Sequence, residues 1–284
     1  MLIEIRDLHY VFNAGTPIEK AALSGVNLTI EEGQFVALIG RTGSGKTTLA
    51  LHLNGLFVPT QGSVRVGNVT VTPRTKKTGA LREMVGLVFQ YPEHQLFEET
   101  VGGEIAFSLV NRGGLSPEEI EARIHEAAGR VNLDIDRLRE RSPFTLSGGE
   151  QRKVAIASIL AMDPPILIFD EPTQGLDPQS RVEAIRNIKE LNNRNKTIVV
   201  ISHDMEEVIR VADRIVIIER GKITTDGTPD SLFSDRAELI RARPFLPEVT
   251  QLLIGLKEKG WNIKTNTYRS DRALAKILSA IGRV

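Results

Sequence analysis

Cysteine is absent from the chain. That excludes disulfides, thiol nucleophiles and cysteine–zinc sites, and it fits a reducing compartment. Net charge is absent too, because 36 Lys and Arg balance 36 Asp and Glu. A chain devoted to nucleic acid usually carries a basic excess, so the balance disfavours nucleic acid as a partner. No apolar run approaches the roughly 18–20 residues that cross a bilayer. The opening MLIEIRDLHY carries acids early and lacks the basic-then-apolar pattern of a secretion signal. Internal repeats and low-complexity segments are also missing. What is present is a globular composition, 41% hydrophobic and 25% charged over 284 residues, enough for one large domain with an appendage.

Apolar patterning gives the fold class. Residues 2–8, LIEIRDL, alternate as a half-buried strand does. Residues 62–71, GSVRVGNVTV, read as short strands around a turn at Gly67-Asn68. FVALI at 35–39, VGLVF at 85–89, ILIF at 166–169, IVVI at 198–201 and IVII at 215–218 are continuous apolar runs. Such runs, separated by helical stretches, predict a parallel sheet covered on both faces. A more helical region spans about 101–161. Ser116-Pro117-Glu118-Glu119 within it has a capping serine, a first-turn proline and acids at the positive end of the dipole. After Gly227 the character changes. Residues 247–259 and 271–281 carry helical periodicity, with Gly260 and Gly282 as stops. Their apolar positions (Leu252, Leu253, Leu256, Leu274, Ile277, Leu278, Ile281) either close on the core or pair with another chain.

Chemistry enters at residues 40–48, GRTGSGKTT. Gly40, Gly45, Lys46 and Thr47 satisfy G-x-x-x-x-G-K-[ST] between a buried strand and a helix. Backbone N–H groups of Arg41, Thr42, Gly43, Ser44 and the glycines can surround phosphate oxygens there, with Thr48 in the first helical turn. Lys46 suits the β- and γ-phosphates, and the Thr47 hydroxyl suits Mg²⁺. A second strand, ILIFDE, ends in two acids. Sheets of this class bind ligands at the carboxyl ends of their strands. Asp170 is the expected Mg²⁺ partner. Neighbours on an extended segment point to opposite sides, which leaves Glu171 for the attacking water as general base or orienting group. His203 ends IVVIS beside the same site and suits the γ-phosphate. Gln90 ends VGLVF and suits Mg²⁺ and the attacking water. Four strands thus end in groups suited to one reaction.

Residues 146–151, LSGGEQ, are the fourth element. Ser147 and Glu150 form a capping box, S-x-x-E, for a following helix. A capped helix does not need both Gly148 and Gly149, whose exposed N–H groups suit an anion.

With these residues in hand, the chain resembles the ATP-binding subunits of ABC transporters over about residues 1–230. GRTGSGKTT looks like the Walker A loop, ILIFDE the Walker B strand and LSGGE the family signature, with Glu150 where glutamine is more usual. Gln90 matches the Q-loop glutamine, Gly175-Leu176-Asp177 the D-loop and His203 the switch histidine. The resemblance implies an α/β fold: a P-loop NTPase core with a mainly parallel sheet, an N-terminal antiparallel β subdomain and a helical signature subdomain at about 91–162. Residues 231–284 would form a C-terminal helical extension. It also implies ATP and Mg²⁺, and a head-to-tail dimer in which Ser147, Gly148 and Gly149 reach the partner's ATP. That dimer is a homodimer or a heterodimer with a second ABC ATPase. Phe12 fits the adenine-stacking position, with Tyr10 as the neighbouring candidate.

Residues 91–101, YPEHQLFEETV, and GTPIEKAAL at 15–23 resemble the energy-coupling factor branch. In that branch the ATPase sits at the cytoplasmic face of the cell membrane. It energises vitamin or transition-metal uptake through an integral coupling protein and a substrate-binding membrane protein. The segment after Gln90 would meet the coupling protein, with Leu96 and Phe97 packing on it. A conventional ABC transporter ATPase is the nearer alternative, and a soluble ABC ATPase acting on DNA or ribosomes the more distant one.

Overall fold

The computed structural model describes residues 2–282. The first residue of the expected ATP-binding domain and the last two of the expected extension lie outside the described residues. Among those described, two sheets form. The first is antiparallel, in the order β2-β1-β4-β5, from β1 (Ile3–Phe12), β2 (Lys20–Ile30), β4 (Gln61–Val66) and β5 (Val69–Val71). The second has the order β10-β9-β3-β8-β7-β6. It contains β3 (Phe35–Ile39), β6 (Val85–Val88), β7 (Ile166–Asp170), β8 (Thr197–Ser202), β9 (Arg214–Glu219) and β10 (Lys222–Gly227). All its pairings are parallel except the β9–β10 hairpin at one edge.

The continuous apolar runs follow from burial on both faces. Along β3, Phe35, Ala37 and Ile39 enter one core, while Val36 and Leu38 enter the other. β7, β8 and β9 divide their residues in the same way. One core lies against helices, including Val101–Arg112, Pro117–Arg130 and Gly148–Ala161. The other lies between the parallel sheet, the helix Lys46–Leu53 and the antiparallel sheet. Ser116 caps its helix through the reciprocal capping box with Glu119.

The C-terminal helices form at Glu248–Glu258 and Ser270–Ala280, and Gly260 and Gly282 both take positive φ. The preceding stretch packs on the main core through Leu232, Phe233, Leu239, Phe245 and Leu246. Leu253, Ile263 and Ala273 form a small separate cluster, and the buried Thr250 hydroxyl donates to the Thr267 carbonyl at 2.8 Å. Leu252, Leu274 and Ile281 face outwards.

One expectation is corrected here. Leu96 is only 7% exposed and belongs to the main core, so it offers nothing to a partner. The short 3₁₀ helix Pro92–Gln95 turns the chain, and Leu96 falls inwards as Phe97 is left 57% exposed. Phe97 instead packs edge-on against Phe107 of the helix Val101–Arg112, at 4.7 Å between ring centres. Leu96→Ala is therefore expected to cost about 2–5 kcal/mol of stability. Phe97→Ala should cost about 1 kcal/mol or less. Urea unfolding of the two variants measures the difference, and equal costs would contradict this division.

Candidate active site

β3, β8, β7 and β6 are consecutive neighbours in the sheet, so their carboxyl ends form one row. The phosphate-loop sequence leaves β3, His203 follows β8, Asp170 closes β7, and Gln90 lies just beyond β6. A cavity of about 490 Å³ opens along this row. Thr42, Gly43, Gly45, Lys46, Thr47 and Thr48 line it from the loop side. Gln90, Asp170, Glu171 and His203 line it from the other strand ends.

Gly40, Arg41 and Ser44 do not line the cavity. A Cβ on Gly40 would collide with the Ile218 carbonyl, so the loop leaves β3 against its neighbour only with glycine. Gly45 has φ 110°, and a Cβ there would lie 2.8 Å from the Ala22 carbonyl. The loop therefore leans on β2. Lys46 curls back across it and donates to the carbonyls of Gly40 (2.7 Å) and Arg41 (3.2 Å). Burial pulls the Lys46 ammonium below the usual lysine value, while Glu171 and Asp170 hold it up. Among the described residues, Ser44 Oγ finds no hydrogen-bond partner although it is buried.

Thr47 Oγ1 donates to Asp170 Oδ2 at 2.6 Å. Burial pushes the Asp170 carboxyl above its ordinary value, and the Glu171 charge adds to this. The Thr47 hydrogen bond and Lys46 pull it back. A hydroxyl and a carboxylate on one cavity wall are hard oxygen donors of the kind Mg²⁺ takes, with phosphate oxygens and waters as its other ligands. The residues fit that ion.

Glu171 does not continue the extended strand, contrary to expectation. The strand ends at Asp170, and Glu171 has φ 49° rather than an extended conformation. Its N–H donates to the Ile201 carbonyl at 2.9 Å, which holds the turn. The left-handed turn, not strand alternation, separates the two acids. Glu171 Oε2 lies 2.7 Å from His203 Nδ1, and Oε1 lies 3.9 Å from Lys46 Nζ. With the carboxylate accepting, the imidazole donates. A non-glycine residue held at positive φ beside a cavity is a typical functional strain.

Several contributors were not anticipated. Gln174 lines the cavity, and its side chain accepts a hydrogen bond from the Gln90 amide. Its position three residues after Glu171 was the available signal. Arg152, on the helix that begins at Gly148, donates to the carbonyls of Pro172 and Gln174. No local pattern marks Arg152, because its partners lie 20 and 22 residues away. Lys20, Ala21 and Ala22 of β2 line the cavity beside Phe12. Tyr10 does not line it; its ring stacks on Phe57 at 4.9 Å and meets His52 edge-on.

The signature residues lie elsewhere. Ser147 caps the helix Gly148–Ala161, accepting from the Glu150 N–H, while Glu150 reaches back to the Ser147 N–H at 3.1 Å. Arg137 holds the other Glu150 oxygen at 2.7 Å. Ser147, Gly148 and Gly149 are exposed and contribute nothing to the cavity wall of their own chain. A Cβ on either glycine would meet nothing within 4 Å. Nothing among the described residues explains why both positions are glycine.

A model of the ABC transporter family matches residues 23–174. This chain belongs to that family. The energy-coupling factor transporter ATP-binding protein EcfA2 of Clostridium tetani is 46% identical over 98% of this chain and 96% of its own length. Its Clostridium acetobutylicum counterpart is 44% identical over 99% and 98%. Among solved structures, cbiO1 of Clostridium perfringens, part of the ABC transporter complex cbiONQ, superposes with a TM-score of 0.72 at 33% identity. That alignment covers 84% of this chain and 93% of cbiO1. The dimeric post-hydrolysis state of the cassette MJ0796, bound to ADP and Pi, gives a TM-score of 0.71 at 32% identity. It covers 80% of this chain and 98% of that one. The protein is accordingly an ATP-hydrolysing subunit of the energy-coupling factor type.

Because burial raises the Asp170 carboxyl, its ionisation works against folding of the nucleotide-free chain. An acid whose folded pKa is raised changes nothing below its ordinary value of 3.8, loses stability as pH rises from there to the folded value, and keeps the full loss above it. Asp170→Asn should therefore raise the nucleotide-free melting temperature at pH 8, with the gain shrinking as pH falls into the carboxylate range. Thermal unfolding across pH checks this. A lower melting temperature at pH 8 would contradict it.

Proposed function

We propose that ATP lies in the cavity with its triphosphate on residues 40–48 and its adenine against Phe12. The convergence of four adjacent strand ends on one cavity supports this reading most. Loop N–H groups and the start of the helix Lys46–Leu53 bind phosphate oxygens. Lys46 exchanges its loop carbonyls for β- and γ-phosphate oxygens. Thr47, Asp170 and Gln90 would hold Mg²⁺. What the ion supplies when bound is neutralisation of charge across the β- and γ-phosphates.

Glu171 accepts a proton from a water as that water's oxygen attacks the γ-phosphorus. The bond to the β–γ bridging oxygen breaks, leaving ADP and phosphate. His203 orients the Glu171 carboxylate and contacts the γ-phosphate. Gln174 and Gln90 form the wall towards the attacking water.

Exposed Ser147, Gly148 and Gly149 face a second ATPase subunit and touch the γ-phosphate held there. Their unused Cβ space supports this, since a partner's phosphate needs the close backbone approach that glycine allows. The second subunit is another copy or a related ATPase. No helix among the described residues is long and apolar enough to cross a membrane. Membrane passage is therefore assigned to separate subunits, an integral coupling protein and a substrate-binding protein, with this chain at the cytoplasmic face. Exposed Phe97, Phe107 and Val110 suit an apolar segment of the coupling protein. The cargo is a vitamin or a transition-metal ion, a reading that rests on the likeness to the energy-coupling factor branch.

Glu171→Gln tests the chemistry. The amide keeps the shape but cannot accept the proton, so turnover should fall about 10²–10⁴-fold while ATP binding persists. Equilibrium binding and steady-state phosphate release on the purified transporter measure both. Undiminished turnover would remove Glu171 from the role of base.

A further inference from the structure

Glu207 lies outside the cavity wall, on the short helix Met205–Val208 that follows His203. Its carboxylate is largely buried, with 13% of the side chain exposed. Three segments of the site converge on it. Thr173 Oγ1, two residues past Glu171, donates to Glu207 Oε2 at 2.6 Å. Ser202, directly before His203, shares its hydroxyl hydrogen between that oxygen at 3.4 Å and the Asp204 carbonyl at 3.1 Å. Arg181 Nη1 stands 3.5 Å from Oε1, while its Nε donates to the Leu176 carbonyl at 2.9 Å. Thr173 and Ser202 are both buried, so each hydroxyl needs a partner inside the protein.

We propose that Glu207 is a positioning residue for hydrolysis, fixing the spacing between Glu171 and His203 through Thr173 and Ser202. The geometry gives the reason. Glu171 sits at φ 49°, a conformation that persists only when its surroundings over-determine it. On the amino side, its N–H is tied to Ile201. On the carboxyl side, the Thr173 side chain has Glu207 as its partner. The same carboxylate shares the Ser202 hydroxyl with the Asp204 carbonyl, and His203, next to Ser202, makes the 2.7 Å contact to Glu171. One buried acid therefore spans both arms of the pair. Without it, the Thr173 hydroxyl would be left unpaired and the loop after Glu171 free to relax from the strained turn. A shift of about 1 Å in such a pair is enough to lower a rate about 10²-fold.

The inference rests on the reading of Glu171 and His203 as the hydrolytic pair. The test uses the purified transporter with Glu207→Ala, Glu207→Gln, Thr173→Val and the Glu207→Ala/Thr173→Val double variant, with Glu171→Gln as reference. Glu207→Ala should lower kcat roughly 10–100-fold and change the KM for ATP by about twofold or less. Glu207→Gln still accepts from Thr173 and should recover most of the rate. Thr173→Val should resemble Glu207→Ala, and the double variant should be little worse than either, since both remove one link. A folded Glu207→Ala enzyme with wild-type kcat would overturn the proposal. So would additive losses in the double variant, or a Gln variant as slow as the Ala variant. If Glu207→Ala does not fold, Thr173→Val and Glu207→Gln decide on the same criteria. Loss of turnover in Glu171→Gln beside normal Glu207 variants would overturn only the positioning role. Retained turnover in Glu171→Gln would overturn the pair itself.

Discussion

Parallel register across β3, β8, β7 and β6 is the constraint on which the site depends. Ile39 pairs with Ser202, Ile201 with Asp170, and Phe169 with Val88. Continued by one or two residues, these pairings bring Gly40, His203, Glu171 and Gln90 to one edge. A slip of one residue in β7 would send Asp170 and Glu171 to the wrong faces. Burial on both faces opposes such a slip, because alternate residues of these strands enter two different cores. Hydrophobic packing thereby sets the positions of polar groups that contribute little to stability themselves.

Those polar groups strain the fold they stand on. Lys46 is buried on its own loop carbonyls, Asp170 is buried at a raised pKa, and Glu171 adopts a left-handed turn. Each is unfavourable for an isolated chain and useful to a nucleotide. In the function proposed above, a phosphate would add anionic partners for Lys46, and a divalent cation would favour ionised Asp170. Proteins commonly carry such local costs where chemistry occurs. Arg152 and Glu207 both hold the loop after Glu171, one from the signature helix and one from the switch-histidine segment.

Continuous features could be read from the sequence. The phosphate loop, the acidic end of β7, the parallel strands and the two C-terminal helices each occupy one uninterrupted stretch, whose spacing carries the information. Features that depend on distant partners could not. Leu96 looked available because its segment resembles the partner-facing stretch of the energy-coupling factor branch, yet the 3₁₀ turn before it sends it into the core. The Glu171 turn is held by Ile201, thirty residues away in the chain, and the Arg152 contacts are to backbone carbonyls that have no residue identity. β2 was visible only as a resemblance at residues 15–23, though it supplies Lys20, Ala21 and Ala22 to the cavity.

Space at the signature glycines points beyond the single chain. Gly40 and Gly45 are explained by atoms of their own chain, whereas Gly148 and Gly149 are not. The central claim is that this chain completes a second subunit's site and not its own. Gly149→Glu tests it most directly, because a Cβ there meets nothing within 4 Å and an acid suits a helix N-terminus. ATP affinity of the isolated chain and turnover of the assembled transporter should be measured together. The account predicts unchanged affinity and turnover lowered about 10²-fold or more, as a carboxylate is brought against the partner's γ-phosphate. Weakened ATP binding by the isolated chain, or full turnover in the complex, would contradict it.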